Sequence, residues 1–349
     1  MLESASTESS LSLGHSPLQT IWLDSMSIPN GCFNNLNSLT VDGCQFLSDV
    51  VLPFYLLPRV TKLQHLQVSN CDSVKSIFDV KCITQERERK PLPFALEELT
   101  LKNLPKLMNV WNGDPHGILS MQFLQKVSVH SCKCLKSVFP ASVAKDLVKL
   151  EDLHVTYCEE LLGIVAEDNA DPRGANLKLT FPCSCLRSLK LQGLFKFKYL
   201  LPCEGLMETC TVSFSNLTYL ELHTCRSMLY VFTSSTAKSL GQLKTMEISF
   251  SDTIEEIVSK EGDESHDENE IIFQRLNCLK LIGLGKLRSF YKGNLSFPSL
   301  TELSVFLCNQ METLCAGTVK TDKLLKVKFV WDKDAIPLET DLNSAMQNR

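Results

Sequence analysis

One apolar spacing recurs along most of this chain and restricts what the chain can fold into. The segment Leu150–Leu161 reads L-x-x-L-x-V-x-x-C-x-x-L. Within it, Leu153 and Val155 alternate with the polar His154, which predicts a short strand with two side chains facing inward and one facing outward. Cys158 then occupies a small, buried position in the turn that ends the strand, where its thiol can donate to a backbone carbonyl.

The same spacing recurs from the N-terminal to the C-terminal part of the chain. The clear copies carry the inward pairs Leu39/Val41, Leu66/Val68, Leu99/Leu101, Val127/Val129, Leu153/Val155, Leu189/Leu191, Leu220/Leu222, Met246/Ile248, Leu279/Leu281 and Leu303/Val305. A weaker first unit is predicted at Leu18, Ile21 and Leu23. These offsets are those of a leucine-rich repeat, in which each unit buries its apolar edge against its neighbours. We therefore expect an α/β repeat protein, a leucine-rich repeat solenoid shaped as a curved horseshoe. Its parallel sheet would line the concave face, with short helical or irregular segments on the convex face.

A longer period is superimposed on the repeat. Leu101, Leu191 and Leu281 are each the second inward residue of a strand, and successive members are 90 residues apart. Each belongs to a unit with leucine in place of the cysteine and with a hydrophilic insertion before it; the insertions are Lys81–Lys90, Ala166–Asn176 and Ser259–Glu270. This regularity predicts duplication of a block of three repeats, with the insertions as surface loops. The most acidic stretch, Glu261–Glu270, is interpreted as a solvated loop, and the alternative is a docking site for a basic partner.

The chain contains fifteen cysteines, and their placement argues against a disulfide scaffold. Their number is odd, and one repeat position accounts for Cys44, Cys71, Cys132, Cys158, Cys225 and Cys308. We expect these thiols to be reduced and buried. Cys132-Lys-Cys134 and Cys183-Ser-Cys185 are spaced too closely for the usual C-x-x-C zinc pair, so no metal is expected.

Composition and length define the expected organisation. We predict a disordered polar N-terminus over residues 1–16, a leucine-rich repeat domain of about 11 units over 17–330, and a C-terminal tail or cap over 331–349. The formal net charge of -5 provides no basic surface for nucleic acid. Met1–Ser16 does not resemble a signal peptide, and no run of eighteen apolar residues occurs, which favours a cytoplasmic location without a membrane span.

Motifs of catalysis are not found in the sequence. It has no G-x-x-x-x-G-K-[ST] phosphate loop, no G-x-S-x-G elbow, no H-E-x-x-H pair and no kinase signature. His130, His154 and His223 fall on predicted strand faces without carboxylate or cysteine partners at ligand spacing, so we interpret them as surface histidines. We expect neither an enzyme nor a bound cofactor.

Several longer motifs make the repeat more specific. The units of the form F-x-x-L-x-x-L-x-L-x-x-C end in Val138-Phe139-Pro140-Ala-Ser142 or Val231-Phe232-Thr-Ser-Ser235. Further motifs are Glu255-Glu-Ile257-Val258, Leu287-Arg-Ser-Phe290-Tyr291 and the terminal Asp341-Leu-Asn343-Ser344. From Leu18 to about Gln347, the chain resembles the C-terminal leucine-rich repeat region of plant coiled-coil NB-ARC disease resistance (NLR) proteins.

This resemblance implies a role in intracellular immune recognition. Such repeats sense a pathogen effector or a guarded host protein and restrain the nucleotide-binding NB-ARC module of the receptor, so the implied partners are proteins. The family's coiled coil and nucleotide-binding module have no counterpart in these residues. The alternative functions are a leucine-rich repeat substrate adaptor of a ubiquitin ligase and an extracellular receptor domain. The first would carry a ligase-docking motif, and the second would carry paired capping cysteines.

The predicted strand face supplies the candidate partner-binding residues. Adjacent strands align one outward side chain per repeat in a middle column, from which we select His154, Lys190, Glu221, Glu247 and Lys280. Ile282 and Phe306 are added because each follows the second inward residue of its strand, so both are predicted to face outward side by side. The alternative is that both side chains pack beneath the C-terminal tail, near Trp331.

Overall fold

The computed structural model describes residues 9–14, 31–47, 49–80, 91–113, 115, 118–166, 183–199, 213–260, 270–329, 335–338 and 341–347. The chain divides into two compact units, Met1–Pro182 and Cys183–Arg349. The predicted first strand at Leu18, Ile21 and Leu23 lies outside the described residues, as do Lys81–Lys90, residues 167–176 and residues 261–269 of the insertions.

The first unit consists almost entirely of short strands. They are β1 (Ser10–Leu13), β2 (Ser38–Asp42), β3 (Val50–Leu52), β4 (His65–Ser69), β5 (Ser76–Asp79), β6 (Leu92–Pro93), β7 (Glu98–Lys102), β8 (Asn109–Asn112), β9 (Leu119–Ser120), β10 (Lys126–His130), β11 (Ser137–Phe139), β12 (Asp152–Thr156) and β13 (Gly163–Val165). Helical structure in its described part is limited to α1 (Ala141–Ala144) and a 3-10 turn at Leu57–Arg59.

Each repeat of the first unit contributes one strand to a parallel sheet. The order of this sheet is β1-β2-β4-β7-β10-β12. The remaining strands form three smaller parallel sheets, β3-β5-β8, β6-β9 and β11-β13. Every neighbour in the main sheet comes from the next repeat, which is the topology expected of a solenoid.

The N-terminal expectation is wrong for Ser10–Leu13. These residues form β1, which pairs in parallel with β2, and the side chains of Leu11 and Leu13 are buried. Leu11-Ser-Leu13 repeats the inward alternation of the later strands, although the serine-rich composition around it conceals the pattern. A strand at the end of a stack is ordered by its neighbour, so composition alone does not decide its state.

The second unit has the same construction. Its strands are β14 (Ser188–Gln192), β15 (Tyr219–His223), β16 (Tyr230–Thr233), β17 (Thr245–Ser249), β18 (Glu256–Ser259), β19 (Ile271–Ile272), β20 (Cys278–Ile282), β21 (Leu295–Ser296), β22 (Glu302–Phe306), β23 (Val319–Lys320), β24 (Lys326–Lys328) and β25 (Ile336–Pro337). Its helices are α2 (Ser234–Lys238) and α3 (Leu342–Gln347), and Cys183–Cys185 forms a 3-10 turn. The Thr233 side chain accepts a hydrogen bond from the Thr236 amide and so caps α2.

The main sheet of the second unit runs β14-β15-β17-β20-β22-β24-β25. All of its pairs are parallel except the last, in which β25 lies antiparallel to β24. The tail continues into α3, where Leu342 and Met346 are buried. The Asn343 amide accepts from the backbone N–H of Leu314 and donates to the carbonyl of Gly317, so this part of the tail satisfies backbone groups of the preceding repeat.

In both units the register follows the predicted pattern, and most strands of the main sheet, although not β22, alternate in burial as predicted. Along β12 the burial alternates, with Leu153 and Val155 buried and His154 half-buried. Leu101, Leu191 and Leu281, the residues spaced 90 apart, are all fully buried. The predicted leucine-rich repeat solenoid with a parallel sheet is therefore confirmed.

The main-sheet strands from β2 to β22 all end in the same turn. The residue after the strand has positive φ at Gly43, Asn70, Asn103, Ser131, Tyr157, Gly193, Thr224, Phe250, Gly283 and Leu307. Its N–H extends the ladder to the next repeat; for example, the Asn70 amide donates to the Lys102 carbonyl at 3.0 Å. The buried cysteine that follows donates its thiol back to the strand, as Cys71 does to the Ser69 carbonyl at 3.2 Å. This is the predicted role of the cysteine, and the six cysteines of the repeat position are free thiols.

Candidate recognition surface

The middle column of the second unit presents charges that are paired with one another. Register places Lys190 beside Glu221 and Glu247 beside Lys280. The Lys190 Nζ lies 3.0 Å from the Glu221 Oε2, and the Lys280 Nζ lies 2.9 Å from the Glu247 Oε1. Tyr219, on the same strand as Glu221, donates its hydroxyl to the Glu221 Oε2 at 2.7 Å. The four candidate charges are therefore close together, and the two ion pairs leave them with no net charge.

The surroundings of Glu221 shift its acidity. Burial raises the pKa of Glu221, but hydrogen bonds from Tyr219 and Lys190 outweigh the burial and hold the pKa below its ordinary value. On the neighbouring pair, the hydrogen bond to Glu247 raises the pKa of Lys280. Both residues are thus held in their charged forms, each by a partner on the sheet face.

His154 occupies the middle column of the first unit. It is half-buried and lies level with Ser128 of the adjacent strand, which in turn lies level with Thr100. The column continues through Gln67 to Thr40, so apart from His154 it contains only uncharged residues. The first unit therefore differs from the second, in which four consecutive residues of this column are charged.

The predicted exposure of Phe306 is wrong. Ile282 and Phe306 are paired in register as expected, and Ile282 is half-buried, but the Phe306 side chain is only 6% exposed. The sheet continues beyond Phe306 into β24, whose Lys328 places its Nζ 6.0 Å from the centre of the Phe306 ring. Trp331, named in the alternative interpretation, lies outside the described residues. Whether Ile282 and Phe306 contact a partner stays a prediction.

Exposed apolar side chains occur at the C-terminal ends of these strands, at the positive-φ position that directly follows the last strand residue. Phe250 is 46% exposed and Leu307 is 67% exposed, with φ of 52° at both. Alternation along the strand does not predict their direction, because the turn residue has left the strand. A signal was present in the sequence: Phe250 and Leu307 are bulky apolar residues at a position that contains glycine or asparagine in five of the other eight repeats.

In the described part of each unit, a histidine, a hydroxyl side chain and an aromatic ring meet at the C-terminal ends of the strands. His130 Nδ1 lies 2.8 Å from the Thr156 Oγ1, and the rings of His130 and Tyr157 meet edge to face with centroids 5.4 Å apart. In the second unit, the His223 Nδ1 lies 2.7 Å from the Ser249 Oγ. The His223 and Phe250 rings meet in the same way at 5.3 Å. These two histidines therefore hold exposed aromatic rings in place.

The described residues include no group of three or more His, Cys, Asp or Glu side chains arranged to hold a metal ion. Among the described helices, none has the length and apolar character needed to cross a membrane. The described surface offers paired charges on the strands and apolar side chains at their C-terminal ends.

Comparison with known proteins identifies the family. The family model described as plant disease resistance protein RPS2-like, leucine-rich repeats, matches residues 7–159, 166–252 and 212–328. The probable disease resistance protein At4g14610 of Arabidopsis thaliana is 32% identical over 175 residues, which are 49% of this chain and 22% of that protein. The match thus spans about a fifth of that relative's length.

Among solved structures, the plant peptide hormone receptor RGFR1 in complex with RGF2 aligns with 93% of this chain and 72% of its own chain, at 11% identity and a TM-score of 0.20. The family match covers most of the repeat region, and the repeat pattern, its register and its buried cysteines agree with it. The chain belongs to the leucine-rich repeat family of RPS2-like plant disease resistance proteins.

Proposed function

We propose that this chain is the protein-recognition module of an intracellular plant immune receptor. In this role it senses a pathogen effector or a guarded host protein in the cytoplasm and restrains a nucleotide-binding switch. The observation that carries the proposal is the middle column of the second unit, where Lys190, Glu221, Glu247 and Lys280 lie on consecutive strands. Half-buried charges in a fixed row recognise partners through complementary charge, and their internal pairing keeps the face stable while unoccupied.

The test swaps the two charged residues of one ion pair, so that the pair itself is kept. The double variant Glu247→Lys/Lys280→Glu retains opposite charges on neighbouring strands but reverses the pattern that a partner meets. A matched control is Lys133→Glu/Glu159→Lys, because that pair, at 3.3 Å, joins the turns that follow β10 and β12 rather than the strand faces.

Each form is expressed in plant cells as a fusion to a proximity-labelling ligase, and the labelled proteins are quantified. We expect a set of proteins whose labelling by the first double variant falls by about tenfold or more, because their affinity for it is lower. The control variant should label the same proteins as strongly as the wild type does. Labelling that is the same for all three forms would contradict the proposal. Recovery of ubiquitin-ligase subunits as the affected set would favour the substrate-adaptor function instead.

A further inference from the structure

Phe250, Gly283 and Leu307 occupy the same turn position in three consecutive repeats, and together they form what we call the apolar ledge. All three have positive φ, at 52°, 64° and 52°. Glycine adopts this conformation freely, whereas bulky residues adopt it only at a cost in stability. Two large apolar side chains are therefore held in an unfavourable backbone conformation while their surfaces face solvent, and such a combination points to a function outside folding.

The ring of Phe250 is fixed in place on the ledge. A Cβ atom at Gly283 would lie 2.8 Å from the Phe250 Cδ1, so the ring lies directly over the glycine. The ring also meets the His223 ring, with centroids 5.3 Å apart and an interplanar angle of 78°. The Ser249 hydroxyl lies 2.7 Å from the His223 Nδ1 and fixes that imidazole. A ring that is already immobilised loses little conformational entropy when a partner binds it.

The charge around the ledge favours an uncharged occupant. The ledge itself has no charged side chain, and the charges of the middle column on β17 and β20, Glu247 and Lys280, neutralise each other at 2.9 Å. Ile282, which directly precedes Gly283, is half-buried and apolar. Charged side chains of both signs lie near the ledge: Asp252 is two residues after Phe250, and the Lys328 Nζ lies 6.0 Å from the centre of the Phe306 ring. Neither an acidic nor a basic side chain is therefore favoured along the whole ledge.

The size of the ledge favours a single side chain over a large interface. A stable interface needs about 800 Å² from each partner, and two partly exposed side chains beside a glycine fall well below that. One aromatic side chain buries about 150–250 Å², and aromatic rings pair edge to face or offset-stacked. The exposed part of the Phe250 ring, with Leu307 beyond the glycine, fits an occupant of that size.

We infer that the apolar ledge binds one aromatic side chain carried on an uncharged peptide segment of a protein partner. This inference rests on the proposed recognition function and names the chemistry of one contact within it. It also places that contact at the ends of the strands, beside the middle column rather than on it.

The probe is a set of end-blocked heptapeptides, Ser-Gly-Ser-X-Ser-Gly-Ser, in which X is Trp, Phe, Ser, Lys or Glu. Saturation-transfer NMR detects their binding to the whole chain at millimolar concentration. We expect transfer to the Trp and Phe peptides and only background for the other three. The double variant Phe250→Asn/Leu307→Asn should reduce the aromatic signal to that background. Asparagine tolerates positive φ, so the melting temperature should hold or rise while binding is lost.

The control is Leu325→Asn, since this leucine is 76% exposed in the same unit but lies outside the ledge. It should leave the aromatic signal unchanged. Should the double variant fold poorly, Leu307→Asn alone must reduce the signal, because this side chain is 67% exposed and contributes little to the core. Equal transfer to all five peptides, no transfer to any, or an unchanged signal in the ledge variants would overturn the inference.

Sedimentation velocity of the chain without peptide tests whether a second copy of the chain occupies the ledge instead. Self-association that disappears in the double variant would identify a second copy of the chain as the occupant and would overturn the aromatic-peptide inference. These outcomes are separable from the proposed function, because the exchange of Glu247 and Lys280 is scored by a different assay on different residues. Failure at the ledge together with success of that exchange would remove the inference and leave the recognition function standing.

Discussion

Ser251 occupies the position that six other repeats give to cysteine, and it makes the same hydrogen bond with a different donor. Its side chain is fully buried. The hydroxyl donates to the Ser249 carbonyl at 3.2 Å and accepts from the Cys225 N–H at 3.0 Å. The cysteines make the equivalent bond through the thiol, such as that from the Cys308 Sγ to the Phe306 carbonyl at 3.3 Å. A buried hydroxyl therefore serves at this position as well as a thiol does.

We predict that Ser251→Ala destabilises the protein by about 1–3 kcal/mol, because it leaves the buried Cys225 N–H without its acceptor. Ser251→Cys should cost less than about 1 kcal/mol, since the thiol restores both a donor to the Ser249 carbonyl and a weak acceptor for the Cys225 N–H, with a small change in volume. Urea denaturation of the three proteins gives both values. An alanine variant as stable as the wild type would show that the turn does not depend on this bond.

At the scale of elements, the strands of the second unit are linked across their outward faces as well as through their backbones. Glu221 on β15 bonds to Lys190 on β14 and to Tyr219 on its own strand. These bonds hold the pKa of Glu221 below its ordinary value despite the opposing effect of burial. Because the pKa is lower in the folded state than in the unfolded chain, ionised Glu221 favours folding.

This linkage predicts a pH dependence for Glu221→Gln. The stability contributed by the carboxylate is fully present above the ordinary glutamate pKa of 4.5, and it is lost as the pH falls through the lower folded value. We expect wild type to melt at a higher temperature than the variant at about pH 6, with a difference that shrinks towards about pH 3.5. Scanning calorimetry across this range measures it. A difference that does not change with pH would contradict the assigned ionisation.

At the scale of the whole molecule, buried thiols recur at the repeat position in both units. Burial raises the pKa of Cys225 to about 12 and that of Cys44 to about 11. Burial also raises the pKa of Cys71, which lies one repeat after Cys44. A thiol that is both buried and protonated is a poor nucleophile, so the folded chain protects these positions from oxidation.

We therefore predict that nearly all fifteen thiols react with Ellman's reagent when the protein is unfolded in denaturant without reductant. In the folded protein, the six cysteines of the repeat position should be protected, because each is no more than 1% exposed. Cys134, which is exposed, provides the internal reference for an accessible thiol. Recovery of several disulfides from the unfolded chain would contradict the prediction and indicate an oxidising location.

The amino-acid sequence by itself determined the repeat, the parallel sheet and the position of the buried cysteines. It did so because strand alternation has a period of two, and one buried face imposes that period on every copy. The inward pair Leu153 and Val155 and the half-buried His154 between them follow from this rule alone. The 90-residue spacing of Leu101, Leu191 and Leu281 likewise identified equivalent strands.

Only the tertiary structure decided what covers each outward side chain. Phe306 follows the same alternation as Ile282, yet Phe306 is buried because β24 extends the sheet beyond it and contributes Lys328. Phe250 is exposed because it is itself the positive-φ turn residue after the strand, where its ring lies over Gly283. These outcomes depend on side chains in neighbouring repeats, many residues away along the chain, whereas alternation is a local property of one strand. The sequence therefore specifies which side chains leave the core, and the stacking of repeats specifies which of them reach solvent.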